Sequence, residues 1–200
     1  MELKFSPLSP YVRKVMIVAH EIGIAARIRL TKVNTREEPD RIAPFNPLGK
    51  IPTLVTDGGA VLYDSPVICE YLDAEFGEHR LLPALGARRW DALTRMALAD
   101  GIIDATILVR NERVRVAEKQ SEEWIAWQVR KVAAGLDHLE NVVDTFGPAL
   151  DLGQIAVASA LGYVPLRLDE ARGLARWPRL RDWYAHASER ESFRSTAPVL

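Results

Sequence analysis

Asn46-Pro47-Leu48-Gly49-Lys50-Ile51-Pro52-Thr53-Leu54, with Asp64-Ser65-Pro66 starting ten residues after Leu54, is the stretch on which the fold turns. An X-Pro step leads into a short apolar strand, Pro52 to Val55. A turn through Asp57-Gly58-Gly59 brings the chain back as a second strand at Val61 to Tyr63, and a Ser-Pro pair opens a helix. Pro52 has no N–H and a fixed φ, so the step leaves the Ile51 N–H and C=O open to an extended ligand instead of a neighbouring strand. Ser65 is predicted as the N-cap and Pro66 as the first helical residue, which aims free N–H groups and the positive dipole end at an anion. Backbone polar groups beside a helix N-terminus suit a peptide.

Upstream, Leu3-Lys4-Phe5 reads as a first strand. Val12, Val15, Met16, Ala19 and Ile22 fall on one face of a helix that starts at Pro10 and stops at Gly23. Ala26 to Leu30 alternates as a second strand, and Glu37 to Ile42 reads as a short irregular helix. With the helix from Ser65 to Phe76 the order is β-α-β-α-β-β-α, an α/β domain over residues 1–76. Residues 77–86 read as a linker, and 87–200 as all helix. Trp90, Leu93, Ala97, Ala105, Leu108 and Val109 mark a long helix, with a bend expected near Gly101. Ser121 caps another, with Glu122 and Glu123 in its first turn and a broad apolar face from Trp124 to Phe146 that Gly147-Pro148 ends. Asp151 and Gln154 have capping-box spacing before the apolar run Ile155 to Val164, which makes them folding residues.

The motif N-P-x-G-x-[IV]-P-x-L followed by [ED]-S, present as Asn46, Pro47, Gly49, Ile51, Pro52, Leu54, Asp64 and Ser65, resembles the glutathione site of the cytosolic-type glutathione transferase family. Ser9-Pro10-Tyr11 is similar to the Cys-Pro-Tyr or Cys-Pro-Phe of glutaredoxins and the omega class, with serine replacing cysteine. The segments Arg176-Trp177-Pro178 to Trp183-Tyr184 and Arg190 to Phe193 look like the family's closing segments, so the resemblance covers nearly the whole chain. It implies a thioredoxin-like α/β N-terminal domain plus an all-α C-terminal domain, and glutathione as co-substrate. It also implies a cis Pro52, with the Ile51 backbone pairing with the cysteinyl unit. Asp64 would hold the γ-glutamyl ammonium, Ser65 its carboxylate and Lys50 the glycyl carboxylate. A homodimer follows from the same resemblance.

Glutathione's thiol, with a reference pKa of about 8.5, is only a few per cent thiolate at neutral pH. Lowering that value by about two units takes about 2.7 kcal/mol. A hydroxyl donating to the charged sulfur supplies roughly 1.5–3 kcal/mol and a helix N-terminus roughly 0.3–1 kcal/mol more. Ser9 at the start of the first helix offers both and is the candidate catalytic residue. Ser6 competes for the role, because Ser6-Pro7-Leu8-Ser9 also resembles the Cys-x-x-Ser of beta-class members. Asp100, Asp104 and Ile107, about one helical turn apart, are candidates for the wall against which a small, partly apolar electrophile would bind.

Composition narrows the alternatives. The chain has 200 residues, 48% of them apolar, with a formal net charge of −1; 9 basic and 10 acidic residues lie up to Phe76 and 17 of each beyond it. Neither half has the basic excess of a nucleic-acid binder. Arg110, Arg113 and Arg115 are interleaved with Asp104, Glu112 and Glu118 and read as a solvated face. The one cysteine, Cys69, falls on an apolar helix face and is expected to pack; it allows no internal disulfide. His20, His79, His138 and His186 lack ligand spacing, so no metal is expected. No signal peptide or membrane span is read, which makes the cytoplasm the expected location. Two other functions compete with conjugation. One is a non-enzymatic binding protein on the same fold. The other is a glutathione-dependent thiol oxidoreductase, disfavoured because serine forms no mixed disulfide.

Overall fold

The computed structural model describes residues 1–198. They form two compact units, one made of Met1–Trp90 with the chain from Glu191 onward, the other of Asp91–Arg190. In the first unit, strands β1 (Glu2–Phe5), β2 (Arg29–Lys32), β3 (Thr53–Val55) and β4 (Val61–Leu62) form one sheet in the order β2-β1-β3-β4. β1 pairs parallel with β2 and antiparallel with β3, and β3 pairs antiparallel with β4. This is the thioredoxin-like arrangement that the element order predicted. Helices α1 (Pro10–Glu21) and α2 (Ser65–Phe76) pack on each other and bury Val15, Ile17, Val18, Ile68, Cys69 and Leu72. Cys69 is fully buried, as its place in the pattern required.

Local chemistry sets the ends of these elements. Gly23, at φ 78°, ends α1: its N–H donates to the His20 carbonyl at 3.0 Å and that of Ile24 to Ala19 at 2.8 Å, a Schellman pairing that needs a left-handed residue. Asp57 in the β3–β4 turn holds the N-terminal ammonium at 2.5 Å, and that hydrogen bond keeps its carboxyl below the usual range. The buried Asp73 carboxylate accepts the N–H groups of Leu81 (3.1 Å) and Leu82 (2.7 Å), which ties the segment after α2 down at its start.

The second unit is helical. It comprises most of α3 (Ala87–Arg113) with α4 (Glu122–Val142), α5 (Leu152–Tyr163) and α6 (Pro178–Ala187). α5 is buried on all sides from Leu152 to Leu161, as expected of the central helix of a unit. A Cβ on Gly153 would stand 2.7 Å from the Ala92 carbonyl oxygen, so only glycine lets the start of α5 approach α3 this closely. Ser121 caps α4 through the Trp124 N–H at 3.2 Å. Arg113 and Arg115 pair with Glu170 (2.6 Å) and Glu112 (2.7 Å), in keeping with a solvated charged face. Arg113's hydrogen bond holds the Glu170 carboxyl below its ordinary value.

Three local expectations shift. Ala26 to Leu30 is a 3-10 turn at Ala25–Arg27 followed by a strand that starts only at Arg29, because parallel pairing with Glu2 to Phe5 fixes where β2 begins. α4 ends at Val142, and a single 3-10 turn (Val143–Thr145) precedes Phe146. Trp124 stands 38% exposed, edge-on to Trp127 at 5.0 Å, instead of lying on the buried face; Ile125 and Gln128 are buried there.

Candidate functional site

The sheet register gathers the candidate residues at one end. Lys4 lies opposite Thr53, so the turn that follows β1, from Ser6 to Ser9, lies beside Ile51 and Pro52, which precede β3. Leu54 lies opposite Leu62, which brings Asp64 and the start of α2 to the same end. The three segments singled out in the sequence therefore converge within the first unit.

Ser9 is the N-cap of α1. Its Oγ accepts the Val12 N–H at 3.3 Å, its carbonyl accepts the Arg13 N–H at 3.0 Å, and Pro10 is the first helical residue. Among the described residues the Ser9 hydroxyl proton has no acceptor, so the oxygen caps the helix while the proton stays available to a negatively charged atom. Ser6 sits in the preceding turn, where its carbonyl accepts the Ser9 N–H at 3.1 Å. Both serines are half-buried.

The Ile51–Pro52 peptide is cis. Ile51 lies outside the β3 pairing, and its N–H and C=O have no partner among the described residues. The loop before it is held from beneath by Asn46, which is 1% exposed: its amide donates to the Lys50 carbonyl at 3.0 Å and to the Thr53 hydroxyl at 3.3 Å, while its oxygen accepts the Leu48 N–H at 3.0 Å. The Thr53 hydroxyl also donates to the Lys50 carbonyl, at 2.9 Å. Asn46 and Thr53 thus fix the backbone on which Ile51 is presented. The motif contained both residues, but only the folded contacts reveal this work. The Lys50 side chain is exposed and bonds to no described group.

At α2 the cap lies one residue earlier than predicted. Asp64 is the N-cap, with extended backbone (φ −92°, ψ −160°), and its carbonyl accepts the Ile68 N–H at 3.1 Å; Ser65 is already helical. The Asp64 carboxylate is exposed and makes no cap hydrogen bond. The Ser65 Oγ is buried without a partner in a residue only 1% exposed. A buried hydroxyl left this way costs roughly 1–3 kcal/mol, so it marks a position where a further acceptor or donor belongs. Next to the free N–H groups of the first turn, the pair suits a ligand end that carries both an ammonium and a carboxylate. Among the described residues no group of three or more His, Cys, Asp and Glu is placed to hold a metal ion, and no helix is long and apolar enough to cross a membrane.

Such equipment fits a small peptide with charged ends, held on a thioredoxin-like unit that continues into a helical one. Residues 8–75 match the profile of the glutathione S-transferase N-terminal domain. The chain is 35% identical over 201 residues to the uncharacterized GST-like protein YibF of Escherichia coli K12, covering 99% of this chain and 98% of that one. A glutathione transferase family member from Pseudomonas fluorescens Pf-5, solved with bound glutathione, superposes with a TM-score of 0.94 at 41% identity over 100% of this chain and 99% of that one. The same family member solved with S-(propanoic acid)-glutathione superposes at 0.90, over 100% of both chains. The chain belongs to the glutathione S-transferase family.

Proposed function

We propose that this protein is a glutathione transferase that binds glutathione through its 1–76 domain, stabilises the thiolate with Ser9, and directs it at a small, partly apolar electrophile. The Ile51 backbone beside Pro52 aligns the cysteinyl unit. Asp64 takes the γ-glutamyl ammonium, the Ser65 hydroxyl and amide take the γ-glutamyl carboxylate, and Lys50 takes the glycyl carboxylate. Segment 77–86 is read as the linker into the helical part of the chain, where Asp100, Asp104 and Ile107 share one face of α3 as candidates for the electrophile's wall. The observation that carries the reading is the partnerless buried Ser65 hydroxyl beside an uncommitted Asp64 carboxylate. The serine chemistry is supported by the Ser9 proton, which capping leaves free. A two-fold homodimer is supported by apolar side chains left at the surface of the single chain: Val61 and Tyr63 by the edge strand β4, Val67 on α2 and Trp90 on α3. Sedimentation at micromolar concentration tests it, and only monomer would contradict it. The reducing cytoplasm is the compartment in which glutathione would be met as the thiol.

Calorimetric titration with glutathione followed by turnover against a panel of electrophiles tests the whole reading; binding without turnover would leave a binding protein. Ser9→Cys separates conjugation from redox chemistry. A thiol donates more weakly to the glutathione sulfur but is a better nucleophile at a helix N-terminus. The variant is expected to lose conjugating activity and to form a mixed disulfide with oxidised glutathione, while buried Cys69 stays unmodified. Mass spectrometry showing no adduct at position 9 would move the role to Ser6.

A further inference from the structure

Past the second unit, residues 191–194 return to the first. Helix α7 (Glu191–Arg194) packs on α1, and Phe193 is 1% exposed. A four-residue helix has no stability of its own, so this segment keeps its place only through such contacts. Two of them grip α1 near opposite ends. At the far end, the Ser192 hydroxyl donates to the carboxylate of Glu21, an anion at a helix C-terminus where the dipole opposes it. At the near end, the Arg13 guanidinium, 7% exposed, donates to the Phe193 carbonyl at 3.5 Å, while the Arg13 backbone N–H donates to the Ser9 carbonyl at 3.0 Å. One residue therefore joins the peptide of the capping serine to a segment 180 positions away.

We propose that the closing segment is a strap that sets the position of Ser9 through α1, which makes Arg13 and Phe193 positioning residues for the thiolate-stabilising hydroxyl. The inference rests on the Ser9 reading above and adds to it a part of the chain outside the residues proposed to hold glutathione or the electrophile. Hydrogen-bond strength falls steeply with distance and angle, and a functional group has to be held within about 0.5 Å of its productive place. A helix gripped near both ends holds its N-cap to such a tolerance; a helix released at Phe193 does not.

The test reads bound glutathione thiolate by its ultraviolet absorbance as pH is varied. It uses the full-length wild type, Phe193→Ala, Arg13→Gln, Ser9→Ala and the Ser9→Ala/Phe193→Ala double variant. Phe193→Ala and Arg13→Gln are each expected to raise the apparent pKa of the bound thiol by about half a unit, roughly a threefold smaller thiolate fraction below it. Phe193→Ala is expected to add nothing once Ser9 is alanine, because its effect passes through that hydroxyl. An equal shift in both backgrounds overturns the strap, as do folded single variants that titrate like wild type. If Ser9→Ala itself leaves the titration unchanged, the serine reading falls and the strap with it, an outcome distinct from failure of the strap alone. Should Arg13→Gln not fold, Ser192→Ala, which removes only one hydroxyl, takes its place. A wild-type titration in folded Ser192→Ala and Phe193→Ala then overturns the inference.

Discussion

Two helices in this protein begin at an aspartate N-cap and use it in opposite ways. At α5, the side chains of Asp151 and Gln154 are both occupied. The Asp151 carboxylate accepts the Gln154 N–H at 2.8 Å and the Arg95 guanidinium at 2.9 Å, while Gln154 reaches back to the Asp151 N–H at 3.3 Å and on to the Gly147 carbonyl at 2.9 Å. At α2, Asp64 caps nothing with its side chain, and the next residue keeps a buried hydroxyl without a partner. A saturated helix start contributes to folding. An unsaturated one, maintained at a cost in stability, is equipped to recognise something outside the chain.

The comparison breaks first at Asp64. Asp64→Ala is expected to weaken glutathione binding by about 1.5–3 kcal/mol, the scale of a charge-assisted hydrogen bond, with the melting temperature unchanged because no cap bond is lost. Unchanged affinity in a titration would remove the assignment. Asp151→Ala should do the reverse, lowering unfolding free energy by about 0.5–2 kcal/mol through loss of the cap, with glutathione affinity retained. Denaturant unfolding checks it, and a stability equal to wild type would mean that the Gln154 side chain, through the position-151 N–H and the Gly147 carbonyl, holds the helix start by itself. The smallest effect is expected at Ser65. Ser65→Ala should leave the ligand-free protein as stable as wild type or up to about 1 kcal/mol more so, since the hydroxyl has no partner to lose, and should weaken binding by roughly 0.5–1.5 kcal/mol. A clear loss of stability in that variant would mean the Ser65 hydroxyl already serves the fold.

What could be read from the sequence follows from how local each feature is. The Asp151–Gln154 box and the Ser9 and Ser121 caps involve neighbours three residues apart, so residue types at fixed spacing announce them. The β3–β4 hairpin is equally local. Local pattern does not locate the start of β2, because a parallel partner 27 residues away sets it. Residue types alone place the α2 cap at Ser65, one residue past Asp64, because both types cap well and only the backbone dihedrals choose between them. The role of Asn46 beneath Lys50 depends on a loop folded back on itself, and the grip of Ser192 and Phe193 on α1 on a separation that leaves no periodic trace.

That the first unit is closed by residues made after the whole of the second has a consequence for synthesis. A ribosome delivers the sheet and α1 early, then all of Asp91–Arg190, and only afterwards the residues that cover Arg13 and accept from it. At about 5–20 residues per second, the intervening hundred residues take about 5–20 s. For that time the nascent first unit lacks Phe193 and the carbonyl that Arg13 donates to, so its completion waits on a unit made in between.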